Sequence, residues 1–128
     1  AGFLTGREVA KAMLPRKRGT IVFTGATASV RGSAGFAAFA GAKHALRALA
    51  QSMARELGPQ GIHVVHVVID GAIDTRFIAE NFPDRYALKE QGGILSPDAI
   101  ADNYWHLHCQ DRSAWTHELD LRPWMETW

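Results

Sequence analysis

Gly35-Phe-Ala-Ala-Phe39-Ala-Gly-Ala-Lys43-His-Ala-Leu46 is the stretch whose reading decides the fold. It opens an apolar stripe, Phe39, Ala42, Leu46, Leu49, Met53 and Leu57, whose three- and four-residue spacing predicts an amphipathic helix over about Phe36–Leu57. Gly58-Pro59 ends it. Just upstream, Ile21-Val-Phe23 is a short apolar run between Gly19 and Gly25, the pattern of a strand buried on both faces. The linking segment Thr24–Gly35 is rich in Gly, Ser and Ala and reads as a loop. Downstream, Ile62-His-Val-Val-His-Val-Val-Ile69 is dense in β-branched residues and reads as a second buried strand.

Outward from this centre the same logic assigns the remaining elements. Phe3, Leu4, Val9, Ala10, Met13 and Leu14 predict a first helix that Pro15 closes. Asp70–Leu95 reads as irregular, with a short helical turn near Phe77–Asn81. Ser96-Pro97-Asp98 starts a helix with a capping hydroxyl, a first-turn proline and a carboxylate at the positive end. Trp115, His117, Leu119 and Leu121 alternate with Thr116, Glu118 and Asp120, which predicts a half-buried strand. The expectation is one α/β domain over residues 1–128: an open parallel sheet of three strands alternating with helices, joined by right-handed crossovers.

Composition narrows the function. A net charge of +1 over 128 residues gives no reason to expect nucleic acid or an acidic membrane. The basic cluster Arg16-Lys-Arg18 reads as a solvated turn between Pro15 and Gly19. No apolar run reaches membrane-spanning length. The single cysteine, Cys109, excludes an internal disulfide and fits a reducing, cytoplasmic compartment. A chain this short with 47% apolar residues leaves apolar surface for another subunit to cover. The histidines do not form a ligand set. His63 and His66 lie three apart on a strand and point to opposite faces, while His106 and His108 diverge on a helix.

The strand, the Gly- and Ala-rich loop and the helix bearing Lys43 resemble the active-site segment of the short-chain dehydrogenase/reductase family. There a strand ends in a serine and the following helix carries Tyr-x-x-x-Lys. Residues 1 to about 122 resemble the C-terminal half of that Rossmann-like fold. The resemblance implies an NAD- or NADP-dependent oxidoreductase of a small carbonyl or alcohol. In it the tyrosine hydroxyl passes the proton, the lysine lowers its pKa and holds the ribose, and the serine steadies the developing charge. Carried over by position, Lys43 keeps its role, while Phe39 stands at the tyrosine position and Ala26 at the serine position. The supporting asparagine would fall just before Ala1. Thr24, Thr27, Ser29 and Tyr86 are the hydroxyls available to compensate.

Asp70-Gly-Ala-Ile-Asp-Thr75 resembles the family turn Pro-Gly-x-Ile-x-Thr beside nicotinamide, with Gly71, Ile73 and Thr75 matching as cofactor-binding residues and Asp70 replacing proline. An uncommitted reading makes Thr75 a helix cap, and the Asp70 carboxylate would oppose an anionic cofactor. Thr24-Gly-Ala-Thr-Ala-Ser-Val-Arg-Gly32 imitates the phosphate-binding TGxxxGxG, but Ser29 and Arg31 hold glycine positions where bare backbone must approach pyrophosphate. The expectation is therefore that this chain alone binds no NAD or NADP, as a truncated half. The resemblance also implies a homo-oligomer, dimer or tetramer, through the first helix and the Phe36–Leu57 helix, with Ile21–Phe23 as an open apolar edge. The four tryptophans, all in the last quarter, either build a second interface or fold back over the core. The alternative to an enzyme is a non-catalytic oligomerising or binding module, or a truncated remnant.

Overall fold

Ile62–Ile69 forms the central strand β2, and all eight of its residues are buried. In the computed structural model, which describes residues 1–128, it runs parallel between β1 (Gly19–Thr24) and β3 (Glu118–Leu121). The register sets Ile21 opposite Val64, Phe23 opposite His66, and His66 in turn opposite Glu118. A strand with neighbours on both edges and helices on both faces has no water-facing side, which is why its sequence does not alternate.

One face of the sheet packs under α1 (Gly2–Met13) and α2 (Ala37–Leu57). Ala10, Ile21, Phe23, Ala50, Met53, Leu57, Ile62 and Val64 make that core. Gly6 is buried there because a methyl group on it would press on the Met53 sulfur at 2.9 Å and on Phe23 at 3.1 Å. The other face packs under α5 (Pro97–Cys109), whose Leu107 is 1% exposed and meets Val65, Val67 and Ile69. Ser96 caps α5, its hydroxyl accepting from the Ala99 amide.

The predicted open parallel sheet and its three strands are present, and the long helix starts one residue from its expected position. Three expectations need correction. In Asp70–Leu95 the expected turn near Phe77–Asn81 is present as α3 (Arg76–Asn81), but the rest is not irregular: α4 (Pro83–Tyr86) and a 3-10 run at Ala87–Gln91 follow. These segments are too short to show a helical period, and Pro83 starts α4 at a position where a helix needs no amide donor. The alternation over Trp115–Leu121 yields strand only from Glu118. Trp115 lies before it, stacked on the His63 ring at 4.6 Å between centroids. Finally, β1 is an edge strand, but Ile21 and Phe23 are each 8% exposed, so its open edge is polar backbone and not apolar side chain. No helix is long and apolar enough to cross a membrane.

Candidate active site

The C-terminal ends of β1 and β2 turn into the loops Thr24–Phe36 and Asp70–Thr75, the end of an open parallel sheet where ligands bind. Between these loops and α3–α4 lies an open cavity of about 520 Å³. Ala26, Thr27, Phe39, Asp70 and Gly71 line it, and Ile78 and Phe82 face them from the far side. Phe39 sits in the first turn of α2, 49% exposed. Thus Phe39 and Ala26, the residues expected at the tyrosine and serine positions, line one cavity, and neither carries a hydroxyl.

Lys43 stands one turn beyond Phe39, its Nζ donating to the Thr24 carbonyl at 3.0 Å and lying 5.8 Å from the Phe39 ring centroid. His44 is exposed, its Nδ1 donating to the Ala40 carbonyl within its own helix. The other matched residues separate. Gly71 lines the cavity at φ +152°, and a side chain there would meet Pro123 at 2.8 Å and the Glu126 carboxylate at 3.3 Å. Ile73 packs into the core under α5 and bridges to Leu95. Thr75 caps α3, its hydroxyl accepting from the Ile78 amide at 3.3 Å.

Of the four substitute hydroxyls, only Thr27 lines the cavity. It donates to the Asp70 carboxylate at 2.5 Å. Its one proton is thereby committed, so toward a ligand Thr27 is an acceptor. Ser29 is fully buried, its Oγ accepting from the Ala26 amide at 3.0 Å. Thr24 pairs with the Tyr104 hydroxyl at 2.9 Å on the α5 side. Tyr86 accepts from Lys89. The Asp70 charge, expected to oppose a cofactor, is 5% exposed and balanced by Arg122 at 3.3 Å. Arg122 also pairs with Asp120 and lies 3.9 Å over the Trp128 ring.

Behind the loop lies a group that the sequence pattern does not disclose. Glu118, the first residue of β3, takes two hydrogen bonds from Arg47 of α2, at 2.7 and 2.8 Å, and one from His66 Nδ1 at 3.0 Å. That bond fixes His66 with its proton on Nδ1. His66 Nε2 has no partner and faces Gly25, where any side chain would collide with it. The ion-paired Arg47 bond holds the Glu118 carboxyl below its ordinary value, and burial pushes the His66 imidazole below its own. Glu118 falls on the polar side of the sequence alternation. The only prior signal was two histidines inside an apolar strand, which need buried partners.

Comparison with known proteins places the chain. A family model for short chain dehydrogenase matches residues 1–85. The chain belongs to the short-chain dehydrogenase family. It is 31% identical over 120 residues to the (21S)-21-acetoxyl-apo-melianone synthase SDR of Melia azedarach, covering 88% of this chain and 44% of that protein. It is 48% identical to a short-chain dehydrogenase from Rhodopseudomonas palustris, with a TM-score of 0.73 over 96% of this chain and 47% of that one. A 4-hydroxyisoleucine dehydrogenase complexed with NADH is 26% identical, with a TM-score of 0.76 over 94% of this chain and 53% of that one. The chain thus spans less than half the length of the curated relatives it matches.

Short-chain dehydrogenases of this kind pair with a nicotinamide cofactor, as the NADH complex illustrates for that relative. The residues present here fit the group only in part. Lys43 retains donors beyond its bond to Thr24, and Thr75, which only accepts in its cap, keeps its own proton, whereas Pro123 packs close on Gly71. No chemical step through the cofactor follows from so few donors.

The Glu118–His66 pair makes stability depend on pH. Both groups bind protons more readily in the unfolded chain, so stability is complete above their unfolded values and falls on acidification. His66 acts first, below 6.5, and Glu118 below 4.5. Urea midpoints are expected to drop between about pH 7.5 and about pH 5. A His66→Gln variant should show a flatter profile over that range; equal slopes for the two proteins would contradict the assignment.

Proposed function

We propose that this chain is the C-terminal, substrate-facing half of an NAD- or NADP-dependent oxidoreductase of a small carbonyl or alcohol, impaired in the family's usual proton transfer. The observation that carries the reading is the cavity at the ends of β1 and β2, lined by Ala26 and Phe39, the residues read from the sequence at the serine and tyrosine positions. Thr27 supports the impairment, because its proton goes to Asp70 and not to a ligand oxygen. A missing general acid lowers rates by ~10²–10⁴ and a missing oxyanion donor by ~10²–10³. Family membership and the NADH complex of one relative support the cofactor class. By themselves the 128 residues hold NAD or NADP weakly, since they contain no glycine-rich pyrophosphate turn. The lone exposed thiol, Cys109, supports a reducing, cytoplasmic setting.

The test joins residues 1–128 to the remaining half of the Rhodopseudomonas palustris dehydrogenase. This chimera should reduce generic carbonyls poorly with NADH or NADPH, and the chain alone not at all. Phe39→Tyr with Ala26→Ser should raise its turnover by at least about tenfold. A chimera already as active as the double variant would show that another residue carries the proton.

A second reading, a homo-oligomeric assembly module, rests on the apolar surface of the first helix. Phe3 is 59% and Leu4 56% exposed, and Phe3 and Leu14 rim a groove reaching Leu57 of α2. A dimer or tetramer is the expected state by light scattering at micromolar concentration. A well-folded species of monomer mass would contradict it.

A further inference from the structure

At the opposite end of the sheet, below the N-terminal ends of β1 and β2, lies a second open cavity of about 510 Å³. Its lining is cationic. Arg16 and Arg18 come from the turn after α1, and Arg112 comes from the turn before β3. None of the three has a carboxylate within ion-pair distance. No acidic side chain lines the cavity. The expected solvated turn is thus one wall of a shaped cavity.

The convergence is built into the backbone. Lys17 adopts the left-handed conformation at φ 51°, which turns the chain between Arg16 and Arg18. Its carbonyl packs so closely on Gly61 that no side chain fits there, and Gly61 itself has φ +84°. The Arg112 guanidinium lies 3.4 Å from the same point of Gly61 and 5.9 Å from the Trp115 ring centroid. Gln110 clamps the approach to β3 with two bonds to Thr116, one to the hydroxyl and one from the amide. Thr20 pairs with His108 at 2.9 Å across the back. The floor is His63, stacked on Trp115, with a buried Nδ1 that has no protein partner.

We propose that this cavity is a binding site for a small phosphorylated ligand, one that presents two or more phosphate-type oxyanions to the three arginines. Guanidinium groups match such oxygens through paired donors, and three of them gathered without counter-charge repel one another until an anion arrives. Two features work against an anion and are outweighed. The carbonyl end of α5 points toward this end of the sheet, and Asp111 neighbours Arg112. The Asp111 carboxylate stays ionised through the amide and hydroxyl of Ser113 and offsets part of the Arg112 charge, but it does not line the cavity. The site is separate from the cofactor region, which lies at the other ends of the same strands.

Inorganic pyrophosphate is the probe, titrated into the 128-residue chain by calorimetry at low salt. Saturable binding with a dissociation constant below about 1 mM is expected. Arg18→Ala and Arg112→Ala should each weaken it by about tenfold or more, the loss of one charge-assisted contact. Arg55→Ala, an exposed arginine on α2 that is not part of the cavity lining, should leave it unchanged. All three positions are exposed, so the variants retain the fold. Absence of saturable binding overturns the proposal. So does an unchanged affinity in Arg18→Ala or Arg112→Ala, or an equal loss in Arg55→Ala.

Discussion

The burial of β2 on both faces and both edges is the constraint on which the rest of the molecule depends. Val65, Val67 and Ile69 meet α5, and Ile62 and Val64 meet α1 and α2, so one strand belongs to two cores at once. Each core is small, and neither helix layer has a second sheet to lean on. Removing β2 from its place would expose both cores together. Two histidines inside such a strand must be satisfied internally. His63 donates to the Thr116 carbonyl and His66 to the Glu118 carboxylate, both on the β3 side. The polar atoms of β2 therefore fasten the short third strand, which has only four paired residues of its own.

The candidate site inherits its geometry from the two ends of this strand pair. Asp70 follows β2 directly, takes the Thr27 hydroxyl and is balanced by Arg122 after β3. Lys43 and Tyr104 reach Thr24 from α2 and α5, through its carbonyl and its hydroxyl respectively. The loop that carries Ala26 is held from beneath by Ser29 and by the closeness of Gly25 to His66. The result is a well-supported frame around a cavity to which Phe39 and Ala26 present a phenyl ring and a methyl group.

Much of this was legible in the sequence. The period of Phe39 to Leu57 gave the long helix, and the density of β-branched residues gave β2. What could not be read was whatever depends on register. Glu118 sits on the polar side of an alternating pattern, and only the parallel pairing of His66 with Glu118 shows that this side is covered by Arg47. Gly71 needs no side chain because Pro123, fifty residues on, packs against it. Thr75 satisfied two readings equally in sequence, and the structure shows it capping α3 with its own proton uncommitted. The basic turn is solvated as read, and what the sequence did not show is that Arg112, remote in the chain, lines the same open cavity.

Native-state hydrogen exchange along β2 tests the dependence on this strand most directly. The amides of Val64–Val68 are expected to exchange only through global unfolding, at least about a hundredfold more slowly than those of α3 on the rim of the cavity. Exchange of β2 at the rate of α3 would mean that the strand opens locally, and would contradict its place as the common support of both cores.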